Sequence, residues 1–301
     1  MSIKRWNERA PAGRIAYVDG RYLPHNIAGV HIEDRGLQLG DAVYEVCGIS
    51  NGLLMDEEEH LDRLERSLGE LEIALPMPRK ALRLVMRELV RRNGLRDGLL
   101  YLQISRGVAR RDHPIPKSAL RPSLILTARS IPPGEFEKRR QNGVTVITRP
   151  DERWARCDIK TVQLLPNLLA KTAARRAGAY EAWLVDEKKV VTEGSSTTAW
   201  IVDARGRLRT RSLSHAILPG VTRRVILEAA AEAQLVVVEE GFSLSEALAA
   251  KEAFISSATG IMPVTAIDGR SVGEGRPGPV ARRVQELYAL TSVQRAAKSG
   301  T

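Results

Sequence analysis

The chain has 301 residues, of which 43% are hydrophobic and 27% charged, a composition typical of a globular protein with one large or two ordinary domains. Its formal charge is +10, but the arginines are spread along the chain and aromatic residues are scarce, which indicates a solvated basic surface and no nucleic-acid partner. Only two cysteines occur, no segment has the apolar length of a membrane span, and residues 1–13 lack an apolar signal core. We therefore predict a cytoplasmic protein without a disulfide framework.

The first 130 residues alternate strands and helices. Asp19-Gly20 predicts a hairpin over residues 15–23, and Asn51-Gly52 predicts a turn between a strand at 42–49 and a short return strand. Apolar residues recur at helical spacing over 56–73 and 79–92, and the second helix should end at Asn93-Gly94. Further strands are predicted at 99–105 and 123–128.

The segment from Ser130 to Asn142 breaks this pattern, because it combines Pro132-Pro133-Gly134 with a run of charged residues. We predict that residues 131–142 link a domain formed by residues 1–130 to one formed by 143–301, although a long loop within a single domain is the alternative. The second part is rich in strands, and its tail, 295–301, is predicted to be disordered. Its strands are expected at 144–148, 181–185, 190–191, 198–202, 235–239 and 254–256, and its helices at 166–177, 222–233 and 279–289.

Most familiar active-site signatures are missing from the sequence. It contains no H-E-x-x-H or Cys/His spacing typical of a metal site, no G-x-S-x-G, no P-loop and no G-x-G-x-x-G. One candidate nucleophile is Lys160, because the mostly apolar residues 162–169 that follow it could bury the amine, lower its pKa and make it reactive. Taken alone, however, the local sequence fits a surface lysine better.

Other polar clusters have a spacing that suits an anionic cofactor. Glu193 stands in a hydroxyl-rich segment, where a carboxylate could keep a cofactor nitrogen protonated, although the same segment fits a hairpin loop. Residues 218–222 lead into a helix and residues 256–260 end a strand with hydroxyls, so both could bind a phosphate. Arg63 shares a helix face with His60, and its guanidinium suits phosphate oxygens, although a solvated helix charge is the simpler interpretation.

Taken together and in order, these motifs resemble those of the fold-type IV pyridoxal 5'-phosphate (PLP) enzymes, the group of D-amino-acid and branched-chain aminotransferases and aminodeoxychorismate lyase. The resemblance extends from Ala16 to Tyr288, and it rests on the whole set because each motif is weak alone. The motifs are Asp34-Arg35-Gly36, Gly40-Asp41-Ala42-Val43-Tyr44-Glu45, His60-Leu61-Asp62-Arg63-Leu64, Asp158-Ile159-Lys160, Thr192-Glu193-Gly194-Ser195-Ser196, Leu218-Pro219-Gly220-Val221-Thr222-Arg223 and Phe254-Ile255-Ser256-Ser257.

The resemblance implies a two-domain α/β (α+β) fold, with a smaller N-terminal α/β domain, a larger C-terminal barrel-like domain and PLP in the cleft between them. It also implies a homodimer in which the neighbour helps to close the site. Lys160 would form the Schiff base with PLP and move the substrate proton, Tyr44 would lie beside the substrate, and Glu193 would contact the pyridine nitrogen. The phosphate would be bound by Arg63, the Val221 and Thr222 backbone, Ser257 and Thr259, whereas Ala258 stands where close relatives often have threonine.

One loop bears on the substrate. Residues 106–113 resemble a loop of bacillary D-amino-acid aminotransferases in which an arginine and a histidine bind the substrate α-carboxylate, and here these are Arg111 and His113. The hairpin at 267–273 resembles the same subgroup. The implied reaction is transamination between a D-amino acid such as D-alanine and a 2-oxo acid such as 2-oxoglutarate. A basic surface loop is the alternative for this segment, and Arg110 is assigned to such a surface.

Three groups of alternatives remain open. Within the same fold, the chain could be a branched-chain L-aminotransferase, an (R)-amine transaminase or aminodeoxychorismate lyase, and Arg111 with His113 disfavours these. A protein that binds PLP or an anion without turnover is disfavoured by the intact Lys160 and Glu193. A basic nucleic-acid-binding module is the most remote.

Overall fold

The computed structural model describes residues 13–132 and 134–299, with side chains described as far as Ala296. The predicted polar N-terminus before Gly13 and the last two residues of the predicted tail lie outside this range. The described chain forms two compact units. The first contains the residues up to Ile131, the segment Ile159–Gln163 and the chain from Arg295, and the second contains Pro132–Asp158 and Leu164–Gln294. The segment around Lys160 thus belongs to the first unit, although it follows the predicted linker along the chain.

The first unit is a six-stranded antiparallel sheet with two long helices. Its strand order is β2-β1-β6-β5-β3-β4, and two of its turns, at Asp19-Gly20 and Asn51-Gly52, have the positive φ angles that tight hairpins require. The elements are β1 (Ile15–Val18), β2 (Arg21–Pro24), α1 (Arg35–Leu39), β3 (Ala42–Ser50), β4 (Leu53–Leu54), α2 (Glu57–Glu70), α3 (Arg79–Arg92), β5 (Gly98–Ser105) and β6 (Ser123–Ser130).

The core of the first unit lies between this sheet and the helices. Leucines at helical spacing on α2 and α3 are buried together with alternate residues of β3, β5 and β6, as the two sequence periods predict. Ile159 is only 4% exposed and belongs to the same core. The side chain before Lys160 therefore anchors the lysine segment to the first unit.

The second unit is built on a nine-stranded mixed sheet, curled into a half-barrel. Its main path is β12-β11-β10-β13-β14-β7-β8-β9, with β15 paired to β14. The elements are α4 (Glu137–Asn142), β7 (Val144–Pro150), α5 (Leu165–Arg176), β8 (Glu181–Val185), β9 (Val191–Gly194), β10 (Thr198–Val202), β11 (Leu208–Thr210), α6 (Val221–Glu232), β12 (Val237–Glu239), α7 (Leu244–Leu248), β13 (Glu252–Ser257), β14 (Gly260–Ile267), β15 (Arg270–Ser271) and α8 (Pro279–Ser299).

Two expectations about irregular segments differ from the structure. The second half of the predicted linker forms helix α4, where Arg140 donates to the carbonyl oxygen of Thr259 at 3.0 Å. The predicted disordered tail is wrong for residues 295–299, which continue α8. Tertiary contacts hold this end of the helix, because Ala296 is 4% exposed and Arg295 Nη1 lies 2.9 Å from Glu59 Oε1.

Candidate active site

Lys160 lies beside the first residues of β3. Thr161 forms an isolated bridge with Val43, and the Tyr44 backbone N–H donates to the Lys160 carbonyl oxygen at 3.0 Å. These contacts place the Lys160 Nζ 4.3 Å from the centre of the Tyr44 ring. The structure therefore brings together the predicted catalytic lysine and the predicted substrate-side tyrosine.

A second tyrosine extends this aromatic surface. The Tyr44 ring stacks on Tyr101 with 5.6 Å between ring centres, and the Tyr101 hydroxyl donates to Gln103 Oε1 at 2.7 Å. Burial, with a smaller contribution from Tyr44, raises the pKa of Tyr101 to about 12. The Tyr101 phenol, which backs the ring that the lysine amine faces, thus stays protonated at neutral pH.

Arg63 is a buried, tethered group and not a solvated helix charge. Its Nε and Nη2 donate to Glu45 Oε1 and Oε2 at 2.8 and 2.7 Å, and His60 Nδ1 lies 2.7 Å from the same carboxylate. The side chains of Arg63 and Glu45 are 9% and 2% exposed. Burial alone would raise the pKa of Glu45, but the charge and hydrogen bonds of Arg63, helped by His60, hold it well below its usual range. Glu45 had no role in the sequence-based interpretation. Its place at a core-facing position of β3 was nevertheless a sign that an opposite charge must meet it there.

Glu193, near the end of β9, is buried and fixed from two sides. Arg153 Nη1 donates to Glu193 Oε1, and the Leu218 backbone N–H lies 3.3 Å from both carboxylate oxygens. Arg153 is itself held by Asp151, with 2.8 Å between Nη2 and Oδ2. Burial raises the pKa of Glu193, and Arg153 and the Leu218 N–H offset only part of that rise. The carboxylate is thus strongly oriented, and Arg153 is a second residue that sequence reasoning missed.

The hydroxyl-rich segment after Glu193 is clamped by another buried carboxylate. Ser195 Oγ and Ser196 Oγ donate to Glu181, the second at 2.9 Å, and Lys171 Nζ lies 3.0 Å from Glu181 Oε2. Glu181 is fully buried. Its hydrogen bonds fix the turn that follows Glu193. The described strands on either side of this turn, β9 and β10, do not pair with each other, so the segment is not the hairpin loop that was the alternative.

The predicted phosphate-binding groups of the second unit meet around β10. Helix α6 begins at Val221, and among the described residues no side chain caps its first N–H groups, which include those of Val221 and Thr222. A Cβ added to Gly220 would lie 3.1 Å from Thr198 Oγ1, so the helix start packs closely on β10. Thr198 pairs in register with Ser256 of β13.

At the end of β13, the hydroxyls of Ser257 and Thr259 are 2.9 Å apart. An uncapped helix start beside a hydroxyl-bearing turn is a suitable anion site.

Arg111 and His113 stand apart from these groups. Both are exposed, in a segment that forms neither helix nor strand. Among the contacts of the described residues, none joins either side chain to Tyr44 or Lys160. The structure therefore leaves the predicted carboxylate pair at the surface of the chain.

The groups present fit the chemistry of PLP. A lysine amine suits the cofactor aldehyde, a buried carboxylate suits the ring nitrogen, and an uncapped helix start with nearby hydroxyls suits the phosphate. Within residues 13–132 and 134–299, no group of three or more His, Cys, Asp or Glu side chains is placed to hold a metal ion. No helix in that range is both long and apolar enough to cross a membrane.

Comparison with known proteins identifies the class. Residues 42–267 match the family model "Amino-transferase class IV". The chain therefore belongs to the class IV aminotransferase family, whose fold is type IV, and it is a PLP-dependent enzyme.

Individual relatives cover nearly the whole chain. D-alanine aminotransferase of Bacillus licheniformis is 40% identical over 282 residues, 93% of this chain and 98% of the relative. The D-alanine aminotransferase of Listeria innocua is 38% identical over 274 residues, 90% and 93% of the two chains.

Among solved structures, the branched-chain amino acid aminotransferase of Escherichia coli has a TM-score of 0.85 and 25% identity and covers 93% of this chain and 95% of its own. The branched-chain aminotransferase of Thermoproteus uzoniensis with norvaline has a TM-score of 0.80 and 26% identity, with 92% and 93% of the two chains covered.

Proposed function

We propose that this enzyme transfers the amino group of a D-amino acid such as D-alanine to a 2-oxo acid such as 2-oxoglutarate, giving pyruvate and the D-amino acid of the acceptor. The observation that carries the proposal is the identity of 35–40% with several D-alanine aminotransferases over about nine-tenths of the chain. The loop that carries Arg111 and His113 supports the same substrate, because a guanidinium and an imidazole together suit a carboxylate.

Bound PLP draws electron density from the bonds at the substrate Cα. Lys160 would link the cofactor, and its amine, once free, would move the substrate proton from Cα to the cofactor C4'. Tyr44, stacked on Tyr101, lines the space beside that amine. Glu193, oriented by Arg153, keeps the pyridine nitrogen protonated.

The remaining groups bind and orient. Arg63, the backbone N–H groups of Val221 and Thr222, and the hydroxyls of Ser257 and Thr259 hold the phosphate. Because Glu45 already fixes the Arg63 guanidinium, little side-chain freedom is lost when an anion binds. Arg111 and His113 bind the substrate carboxylate.

We further infer a homodimer in the cytoplasm. Three apolar residues of the stretch after Lys160, Leu165, Leu168 and Leu169 on α5, are 66%, 59% and 61% exposed. They lie at i, i+3 and i+4, so they form one apolar helix face that a second copy would cover. Leu168→Lys should convert a dimer to a monomer in sedimentation velocity. Leu84→Lys is the matched control, because Leu84 is 67% exposed on another helix and should leave the dimer intact.

The absorption spectrum of the purified holoenzyme tests the cofactor linkage and the substrate class together. A visible band from the lysine-linked cofactor should bleach on addition of D-alanine. The second candidate, a branched-chain L-aminotransferase, is favoured by the solved neighbours, and bleaching by L-valine alone would select it. Lys160→Ala should lose the band, whereas Lys188→Ala, at an exposed lysine, should keep it.

Kinetics test the carboxylate pair. Arg111→Ala should lower kcat/KM for D-alanine by about 10- to 100-fold, since a charged hydrogen bond contributes about 1.5–3 kcal/mol. Arg110→Ala provides the matched control and should stay within about threefold of the wild type. If both variants behaved alike, Arg111 would not bind the carboxylate.

A further inference from the structure

The Asp34-Arg35-Gly36 motif has no role in the site described so far, yet its arginine is among the most buried charges of the first unit. Arg35 is 3% exposed, and its Nε donates to Asp41 Oδ2 at 2.8 Å. Its Nη1 donates to the carbonyl oxygens of Asp112 and Pro114 at 2.8 and 3.4 Å, and its Nη2 to that of His113 at 3.4 Å. One guanidinium thus holds three consecutive carbonyls of the loop that carries Arg111 and His113.

The base of this loop is attached to the same motif. The Arg35 backbone N–H donates to the Gly107 carbonyl at 3.0 Å, and Asp34 forms an isolated bridge with Val108. Gly107 has φ +108°, and a Cβ there would lie 2.1 Å from the Arg121 carbonyl oxygen, so the two ends of the loop are pressed together. Backbone contacts thus hold the two ends of the loop together, and the Arg35 side chain holds it again at residues 112–114.

The flanking motif residues fix the backbone of Arg35. Asp34 Oδ1 caps α1 through the Leu37 N–H at 3.1 Å, and Asp34 Oδ2 accepts from Ser105 Oγ at 2.5 Å. A Cβ on Gly36 would lie 2.8 Å from the Cβ of Ser105, so only glycine allows this approach. Each residue of the motif therefore helps to place the Arg35 side chain.

We propose that Arg35 is the positioning residue of the substrate carboxylate site: by holding the backbone of residues 112–114 it sets the direction in which Arg111 and His113 project. The inference rests on the proposed function in one respect, the assignment of Arg111 and His113 to the carboxylate. Only a planar guanidinium can bind the Asp41 carboxylate along one edge and backbone carbonyls along the other. A lysine at this position would keep the charge and lose the fork.

The chain provides a matched control. Arg106 shares the same carboxylate, with 2.7 Å from its Nε to Asp41 Oδ2 and 3.0 Å from its Nη2 to Asp41 Oδ1. Its other bonds go to the carbonyl oxygens of Leu71 and Glu72 at 2.6 and 3.0 Å, and so do not reach residues 112–114. Arg106 is 8% exposed. A variant at Arg106 therefore disturbs the same buried cluster without releasing residues 112–114.

The experiment compares Arg35→Lys with Arg106→Lys as holoenzymes. For Arg35→Lys we expect KM for D-alanine to rise at least tenfold while kcat stays within about threefold, and the amides of residues 108–115 to exchange at least tenfold faster. Arg106→Lys should lower Tm about as much as Arg35→Lys does. It should leave KM for D-alanine and the exchange rates of amides 108–115 within threefold of the wild type. Equal effects of the two variants on KM, or an unchanged KM in Arg35→Lys, would overturn the proposal.

A double-mutant cycle with Arg111→Ala separates positioning from general destabilisation. If Arg35 acts through Arg111, adding Arg35→Lys to Arg111→Ala should raise KM by less than threefold further. If the two effects multiply, the proposal is wrong. A wild type that reacts with another amino acid, and not with D-alanine, would refute the proposed substrate. The same cycle run with the reactive amino acid would then still decide the role of Arg35.

Discussion

Replacing Glu45 with glutamine should be one of the most damaging isosteric changes in the first unit. The carboxylate neutralises the buried guanidinium of Arg63 through two hydrogen bonds and accepts a third from His60. Glutamine keeps the shape but is neutral and places an NH₂ group against donors, so the buried Arg63 guanidinium loses the Glu45 carboxylate. Breaking a buried ion pair on one side costs about 3–5 kcal/mol. Hydrogen exchange of the β3 and β5 amides should therefore accelerate by about two to four powers of ten.

Solution pH gives an internal check on the Glu45 prediction. The pKa of folded Glu45 lies far below its unfolded value of about 4.3. Its contribution to the free energy of unfolding is therefore complete well above that value, and it is lost progressively as the pH falls from there through the folded pKa. At pH 4 the wild type should have lost about 0.5–1 kcal/mol of this contribution. Glutamine does not titrate, so the difference in the free energy of unfolding between the wild type and Glu45→Gln should narrow by that amount. Glu65→Gln, at a carboxylate 41% exposed, is the control and should cost about 0–1 kcal/mol. A Glu45→Gln protein as protected as that control would refute the argument.

Three further changes have definite expected outcomes. Arg153→Met removes the cation beside Glu193, whose pKa is already raised by burial, so the carboxylate should protonate at higher pH. The acid limb of the pH profile of kcat/KM should then move to higher pH, and an unmoved limb would contradict this. Glu181→Gln should lower the free energy of unfolding by about 1–3 kcal/mol and weaken cofactor binding, as measured by thermal unfolding and equilibrium dialysis. Arg295→Ala, which removes the ion pair with Glu59, should speed amide exchange over residues 290–296 and leave kcat unchanged.

Local sequence signals predicted those parts of the fold whose cause is local. The helix at Arg79–Arg92 and the strands at Glu181–Val185 and Thr198–Val202 have the predicted bounds. The helix has a strong apolar period that ends before Asn93-Gly94, and the two strands are short, mostly apolar runs that end before Asp186 and Asp203. The strand Gly260–Ile267 was missed because Pro263 stands inside it, and a proline normally argues against a strand interior. The end of α8 was missed because its order depends on contacts with Glu59, which is 236 residues away.

The candidate site was predictable to a similar, limited extent. Lys160, Glu193 and Val221 were singled out because their neighbours form recognisable motifs. Residues that hold those groups were missed, because their partners are distant in sequence: Glu45 and Arg63 are 18 positions apart, and Arg153 and Glu193 are 40 apart. No local period reports on such a separation.

The missed residues share a physical property that explains their positions. Glu45 holds Arg63 and Arg153 holds Glu193, so each is a charged side chain with little exposure paired with an opposite buried charge. An unpaired buried charge costs several kcal/mol, about the whole margin of many folds, so such groups can be oriented in advance only as pairs. A charged residue on the core-facing side of a strand, as Glu45 is on β3, therefore indicates that an opposite charge from another element has to meet it. On β3, Glu45 interrupts the row of apolar core-facing residues, and the opposite charge that meets it is Arg63, the arginine proposed to bind the cofactor phosphate.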